Sequence, residues 1–509
     1  MTLERSVSNL KMKNIKIFFI IGILLIVNDL CAIGKFEFTP LARKAYDKTL
    51  ALKFDEANDL INQMRQSDPN NLVVYYIENH LECIKIFISE DKTDYDKYSP
   101  NEKKRLNALK NGDPSSPYYL FTQAQVRLFW AMNKIKFGSY LDALNAASSA
   151  YELLETNDKK FPNFIANKMT LGVLHSVVGT IPDNYKWGAK LVFGMNGTIQ
   201  QGQAEIEEVI NYAKTNDFVF ESEAMVMYAF LMLHLNNRSE SAWNIMNNGK
   251  LKPQENMLHC FALANVAMRT GRNDKAIEIL QNRPTGSGYL TVYYLDYMLG
   301  LAKLYRGDGD ADESLKKYVY YFKGRNYLKE GFQRIAWFEL LRGNPSGYKI
   351  FIENCKTVGR ADIGGDKNAL KEAKSGSAPE PNLLRGRLFF DGGYYQKAYD
   401  FLKDKKETDF ANQAHKLEYM YRMGRILQML KKTNEAIVFY DKTIQTGKQT
   451  PYYYACNAAL QLGIIYEEYK QYDKARQFFN YCLALNPDDY SDSLHASAKA
   501  GLNRVKGKK

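Results

Sequence analysis

"LGIIYEEYKQYDKARQFFNYCLALNP", residues 462–487, decides the fold through the positions of its small residues. Gly463 is followed twelve positions later by Ala475, and Pro487 comes twelve positions after that. Two helices that cross closely need a small residue on each side of the crossing, and a proline after the second helix ends it. The spacing therefore predicts a pair of antiparallel helices.

The same spacing recurs upstream. Gly386 precedes Ala398, and Gly424 precedes Ala436, by the same twelve positions. Looser pairs of small residues extend the pattern towards the N-terminus: Ala45 with Ala57, Ala131 with Ala143, Ala264 with Ala276, and Ala302 with Ser314. One such unit cannot bury its own apolar face, so neighbouring units must stack. The sequence predicts an all-α fold, an α-solenoid of stacked antiparallel helix pairs.

The last unit resembles a tetratricopeptide repeat. Tyr466 and Phe479 stand at the two aromatic positions of that family, although Ala459 replaces its tryptophan. The glycines at 386, 424 and 463 lie 38 and 39 residues apart, whereas the standard repeat has about 34 residues. The resemblance implies a superhelix that binds proteins or peptides, and the wider spacing implies longer helices or loops.

The N-terminus has the pattern of a secretory signal peptide. Lys11, Lys13 and Lys16 precede an apolar stretch from Ile17 to Val27, and we expect cleavage near Ala32. This predicts export to the bacterial periplasm or to the outer membrane. The alternative is an uncleaved N-terminal membrane anchor, although the apolar stretch is short for one.

Composition and the positions of helix-breaking residues predict how the rest of the chain is divided into segments. With 509 residues, 14 prolines and 33 glycines, an elongated or multidomain helical protein is expected. The predicted segments are a signal peptide at 1–32, divergent helical pairs at 33–160, a non-standard helical block at 161–250, repeats at 251–356, a loop or linker at 357–382, and three repeats with a capping helix at 383–509.

The non-standard block has its own resemblance. In residues 171–214 a helix, a proline-containing turn, a short apolar helix and a further helix follow one another, which is similar to the centre of the tetratricopeptide-39 family, a family that includes a fungal inclusion-clearance protein. We expect Trp187, Leu191, Val192 and Phe193 to be buried. The resemblance implies an all-helical array and brings no catalytic residues.

Residues for chemistry are sparse. The chain has no GxSxG, GxxxxGK[ST], HExxH or CxxC motif, and the aspartates from Asp308 onwards lack the glycine and glutamate of a calcium loop. His175 lies in an apolar helix and is expected in the core. Basic residues are interspersed with acids, which argues against nucleic-acid binding. The sequence predicts neither an enzyme nor a cofactor or metal site.

Cys456 and Cys482 are expected at adjacent ends of one antiparallel helix pair. They are either buried free thiols or, in an oxidising compartment, a disulfide.

The candidate binding surface follows from the repeat resemblance, which places certain residues of each first helix in a concave groove. Arg387, Arg425 and Ile464 each follow the small residue of their unit directly. The predicted groove residues are Arg387, Phe390, Tyr421, Arg425, Gln428, Ile464 and Glu467. The arginines would suit a carboxylate, so we expect a protein or peptide partner, possibly acidic. The alternatives are a solvated groove, an envelope glycan or lipid as ligand, and peripheral contact with the envelope membrane.

Overall fold

A computed structural model describes residues 33–180, 194–234 and 238–508. The predicted signal peptide, and Trp187, Leu191, Val192 and Phe193 of the non-standard block, lie outside the described residues.

Helices account for nearly all regular structure in the described residues. The first group consists of α1 (Pro40–Leu50), α2 (Phe54–Ser67), α3 (Val73–Ser89), α4 (Lys92–Tyr98), α5 (Asn101–Leu109), α6 (Tyr118–Lys136), α7 (Tyr140–Lys160), α8 (Ile165–Gly179), α9 (Ile199–Ala213), α10 (Glu221–His234) and α11 (Ser239–Met246). Residues 34 and 35 add two isolated β-bridges, and the described residues contain no strand.

The second group continues the array. Its helices are α12 (Met257–Arg269), α13 (Asn273–Gln281), α14 (Tyr293–Arg306), α15 (Ala311–Tyr321), α16 (Leu328–Leu341), α17 (Pro345–Thr357), α18 (Gly364–Ser375), α19 (Pro381–Asp391), α20 (Tyr395–Leu402), α21 (Gln413–Met429), α22 (Thr433–Gly447), α23 (Tyr454–Glu468), α24 (Tyr472–Ala484) and α25 (Ser491–Val505), with a short 3-10 helix at Glu407–Asp409. Consecutive helices pack in pairs, and the pairs stack. The predicted all-α solenoid is confirmed.

Close crossings explain the spacing that predicted the pairs. A Cβ atom on Gly463 would lie 2.5 Å from the ring of Phe479, and one on Gly424 would lie 2.8 Å from the ring of Tyr440. A Cβ on Gly386 would meet Leu402 at 2.5 Å. Each glycine thus faces the large residue sixteen positions later, on the partner helix. The absence of a side chain lets the second helix come close enough to bury that residue.

The looser pairs near the N-terminus also mark helix pairs. Both alanines are buried in the pairs 45 with 57, 131 with 143, and 264 with 276. At the fourth pair Ala302 is buried while Ser314 is partly exposed. The close approach of α14 to α15 instead occurs at Gly300, where a Cβ would meet Leu315 at 2.6 Å.

The buried apolar side chains form two main clusters. The larger extends from Ala42 to Leu388, and the second from Leu383 to Val505. They meet within α19, where Leu384 and Leu388 face the first cluster while Leu383 and Phe389 face the second. This helix therefore connects the C-terminal repeats directly to the preceding array.

The first helices also contact segments far along the chain. The backbone N–H of Leu290 donates to the carbonyl of Leu52 at 2.9 Å. Arg43 pairs with Asp217 at 2.8 Å, and Glu90 accepts backbone hydrogen bonds from residues 325 and 326. The N-terminal helices thus pack against the middle of the array as well as against their sequence neighbours.

Residues 357–382, predicted as a loop or linker, contain the helix α18, so the loop prediction is wrong for residues 364–375. The loop was predicted because the segment is rich in Gly, Ser and Pro and poor in large apolar residues, but its polar side chains bind buried polar groups. Asp366 is fully buried and accepts hydrogen bonds from the backbone N–H groups of Tyr327 and Glu330, at 2.7 and 2.9 Å. Its carboxylate therefore caps the first turn of α16.

Asp366 makes stability depend on pH. Burial raises its pKa from 3.8 to about 6. Below the unfolded-state pKa, where the Asp366 carboxyl is protonated, its contribution to the free energy of unfolding is complete. This contribution is lost as the pH rises through the folded-state pKa. Asp366→Asn removes this titration. As the pH rises from about 4 to about 6, we expect the free energy of unfolding of the variant, relative to that of the parent protein, to increase by roughly 2–3 kcal/mol. Urea unfolding followed by tryptophan fluorescence, to which Trp337 of α16 contributes, measures this difference; a difference that is independent of pH would contradict it.

No helix among the described residues is long and apolar enough to cross a membrane.

Candidate functional site

A cavity of about 350 Å³ opens on the C-terminal repeats, between α19, α21, α23 and α25. Four of the predicted groove residues line it: Arg387, Phe390, Tyr421 and Arg425. The other residues that line it are Asp391, Arg422, Tyr453, Asn457, Tyr490, Ser493 and Leu494. We call this cavity the arginine pocket.

Three predicted groove residues do not line the pocket. Gln428 accepts a hydrogen bond from the Tyr440 hydroxyl at 2.6 Å. Glu467 accepts two hydrogen bonds from Arg504, at 2.7 and 2.8 Å. Ile464 packs against the second apolar cluster. These contacts give each of the three side chains a structural partner within the chain.

Arg387 occupies one side of the pocket with its charge only weakly neutralised. Its guanidinium lies 5.2 Å from the centre of the Trp337 ring, and its Nε lies 3.5 Å from a carboxylate oxygen of Asp391. Its side chain remains 40% exposed. The indole contact orients the guanidinium, and the exposed part of the side chain is available to a ligand.

Arg422 forms a buried ion pair in the pocket wall. Its Nε donates to Glu418 at 2.7 Å, and its Nη2 makes a second, shorter contact with the same carboxylate. Burial opposes the charge of Glu418, but the neighbouring Arg422 lowers its pKa overall. The charge of Arg422 is therefore neutralised by Glu418 within the pocket wall.

Arg425 is the group with an unused donor. Its guanidinium lies 5.3 Å from the centre of the Phe390 ring. Its Nε is buried and has no hydrogen-bond partner among the described residues. An atom this buried is out of reach of a ligand in the cavity, so the contribution of Arg425 to binding is its positive charge.

The charges around the pocket sum to a positive value. Three arginines, at 387, 422 and 425, face two carboxylates, Asp391 and Glu418, which leaves one net positive charge. An anionic group is therefore the favoured ligand of the pocket.

Three tyrosine rings also line the pocket. Tyr453 contacts Tyr490 edge to face at 5.0 Å between ring centres, and Tyr421 contacts Tyr453 at 6.1 Å. Tyr490 is about half exposed. It precedes α25, the helix whose only predicted role was to cap the array. Tyr421 was predicted from the repeat resemblance, and the run of aromatic residues at 452–454 was the one sequence signal for Tyr453.

His175 is buried, as predicted, but in a more polar setting than an apolar helix suggests. Its Nδ1 lies 2.6 Å from a carboxylate oxygen of Glu205, and its Nε2 lies 3.3 Å from the Tyr151 hydroxyl. Among the described residues, no group of three or more histidine, cysteine, aspartate or glutamate side chains is placed to hold a metal ion. The aspartates near Asp308 form ion pairs within the chain instead: Arg306 pairs with Asp308, and Lys303 pairs with Asp310.

Stacked helix pairs with a basic, aromatic pocket define a helical repeat protein. No family model matches the chain. No curated protein matches it either. Among solved structures it is similar to a circular tandem repeat protein with novel repeat topology and enhanced subunit contact surfaces, at 11% identity over 91% of this chain and 95% of the other, with a TM-score of 0.20. A score this low carries no argument, so the fold assignment depends on the helix pairs themselves.

Proposed function

We propose that the protein is an exported helical-repeat scaffold of the bacterial cell envelope that binds an acidic segment of a protein partner in the arginine pocket. The observation that carries this proposal is the partly exposed side chain of Arg387, in a cavity whose lining and wall leave one net positive charge. Export is supported by the N-terminal sequence alone.

The chemistry of the pocket suits a carboxylate attached to an apolar group. Guanidinium groups bind carboxylates through charge-assisted hydrogen bonds, and the rings of Phe390 and Tyr421 supply apolar contact area. Aromatic and arginine side chains together are typical of the few residues that dominate binding energy in protein interfaces. A peptide with alternating acidic and aromatic residues matches these contacts.

A second candidate ligand is an envelope glycan. Tyr453 and Tyr490 present ring faces and edges, and Asn457 and Ser493 bring an amide and a hydroxyl to the same cavity. Sugars use such groups for stacking and hydrogen bonding. The two candidates differ in how they depend on charge, which makes them separable by experiment.

The proposal predicts the effect of reversing the pocket charge. Arg387→Glu with Arg425→Glu is expected to weaken binding of a fluorescent Asp- and Tyr-rich synthetic peptide by at least about tenfold, because each loses an attractive charge and gains a repulsive one. Fluorescence polarisation measures the change. Binding by the parent protein should also weaken as salt rises.

The matched control reverses the same number of positive charges at positions outside the pocket. Lys431→Glu with Lys448→Glu alters two exposed residues outside the pocket and should bind the peptide like the parent protein. Circular dichroism checks that both double variants fold, and Arg425→Gln serves as a milder variant. Equal binding of acidic and lysine-rich peptides would overturn the proposal. Binding of glycan fragments that is insensitive to charge reversal and lost in Tyr453→Ala would favour the second candidate.

A further inference from the structure

Two thiols meet behind the wall of the arginine pocket. Cys456 lies in the first turn of α23 and Cys482 in the last turn of α24, and both are buried. Their sulfur atoms are 3.5 Å apart. A disulfide bond is about 2.05 Å long, so the two sulfurs must come about 1.5 Å closer to form one.

The pair is joined to residues that line the pocket. Cys456 directly precedes Asn457, whose side chain lines the pocket. The Cys482 thiol lies 3.9 Å from the carbonyl of Leu494, another lining residue, and the Cys456 thiol lies 4.0 Å from the carbonyl of Leu485. The two sulfurs therefore sit where α23, α24 and the connection to α25 converge.

The other cysteines of the described residues are placed differently. Cys83, Cys260 and Cys355 lie in α3, α12 and α17, and each is buried. The thiol of Cys260 contacts the carbonyl of Ile279, and that of Cys355 contacts the carbonyl of Lys329. Burial raises the pKa of all three, which keeps them unreactive.

We propose that Cys456 and Cys482 are an oxidative modification site, converted by a disulfide-bearing oxidant into a disulfide that fixes the α23–α24–α25 corner of the pocket. The Cys456 thiolate attacks one sulfur of the oxidant and releases the other as a thiol. The Cys482 thiolate then attacks the Cys456 sulfur and releases the second oxidant sulfur. In sum, two cysteine thiols and one oxidant disulfide give one protein disulfide and two oxidant thiols.

Cys456 is the attacking residue in this scheme. A hydrogen bond from the Cys482 thiol lowers the pKa of Cys456, although burial acts in the opposite direction. A thiol with a lowered pKa is ionised more often and so begins the exchange. Because both sulfurs are buried, the reaction occurs during folding or when α25 detaches transiently. This inference is independent of what the pocket binds.

The test uses the full chain treated with oxidised glutathione, both in the native state and during refolding. Peptide mapping by mass spectrometry is expected to recover one cross-linked peptide pair that contains Cys456 and Cys482. The melting temperature is expected to rise by about 5 °C relative to the reduced protein, and dithiothreitol should reverse the rise. Amide exchange in residues 485–505 should become slower on oxidation.

Cys456→Ser and Cys482→Ser should each abolish both the cross-link and the thermal shift, whereas Cys260→Ser should abolish neither. Since the parent protein is compared with itself in two redox states, the result does not depend on the folding of any variant. Recovery of both cysteines as free thiols after refolding with oxidised glutathione would overturn the proposal, and so would a cross-link between either of them and another cysteine.

Discussion

Glu90→Ala is expected to lower the free energy of unfolding by about 3–5 kcal/mol, because it removes the partner of several buried groups at once. The Glu90 carboxylate is buried at the C-terminal end of α3, where it accepts hydrogen bonds from the backbone N–H groups of Arg325 and Asn326, at 2.8 and 2.9 Å. It also accepts from the Asn326 side chain at 3.1 Å and pairs with Lys136.

Loss of this carboxylate leaves donors from two distant parts of the chain without an acceptor. The cost of a buried donor without a partner is larger than the net value of a satisfied hydrogen bond, so Glu90→Ala costs more than the deletion of an exposed ion pair. Denaturant unfolding followed by tryptophan fluorescence suits the measurement, since Trp130 is buried near the same helix and donates to Asn79 of α3 at 2.9 Å.

Glu102→Ala is the matched control for Glu90→Ala. Glu102 also pairs with a lysine of α6, Lys134, at 2.7 Å, but that ion pair lies nearer the surface. We expect this control to cost about 1 kcal/mol or less. Equal effects of the two substitutions would show that the amides of Arg325 and Asn326 find other partners, and would contradict the role assigned to Glu90.

The pH dependence at Glu90 has the opposite sign to that at Asp366. Burial opposes ionisation, but Lys136 and the two backbone amides lower the pKa of Glu90 overall. Its stabilising contribution is therefore present above the unfolded-state pKa and is lost as the pH falls through the lower folded-state value. The difference in free energy of unfolding between the parent protein and Glu90→Gln should therefore become smaller as the pH falls. Denaturant unfolding at several pH values measures this difference.

Local spacing predicted the fold because a solenoid is built from contacts between neighbours in sequence. Gly463 meets Phe479 sixteen residues later, and Gly424 meets Tyr440 at the same separation. Such a contact is visible as a periodic pattern. The bond between Glu90 and Arg325 joins residues 235 positions apart, and no periodic pattern marks either end.

The loop prediction failed for a related reason. Residues 357–382 are rich in Gly, Ser and Pro and have few large apolar residues, a composition typical of loops. In the structure Asp366 caps α16, and Glu372 accepts hydrogen bonds from Trp337 and Tyr348, both at 2.9 Å. A helix that is stabilised by buried polar contacts resembles a loop in sequence, because the sequence does not show which residues its polar side chains contact in the fold.

The candidate pocket was predicted in part. The repeat resemblance selected Arg387 and Arg425, since both follow the small residue of their helix. It missed Tyr490 and Ser493, because these come from the terminal helix and the turn before it, which no repeat position describes. The wall built by α25 depends on how that helix packs on α23 and α24, and one aromatic residue controls this packing.

Phe479→Ala is expected to cost about 3–5 kcal/mol and to release α25 from the array. Phe479 is fully buried between two glycines on different helices. A Cβ atom on Gly463 of α23, or on Gly501 of α25, would lie 2.5 Å from its ring. The ring fills the space that both glycines leave open, so its removal creates a cavity that the flanking helices cannot easily close.

The readout for Phe479→Ala must report on the C-terminal repeats. All four tryptophans, at positions 130, 187, 243 and 337, precede this region, so hydrogen exchange of the amides of α25 is the suitable measurement. We expect their protection to fall by at least about a hundredfold. Phe478→Ala is the control, because Phe478 is only half buried and stacks on Tyr466 at 5.4 Å; its effect should be about 1 kcal/mol.

Undiminished protection of α25 in Phe479→Ala would mean that this helix is held by other contacts, such as the one between His495 and the Leu485 carbonyl at 2.8 Å. Loss of protection in α25 together with loss of peptide binding would instead link the packing of this single ring to the Tyr490 wall of the arginine pocket.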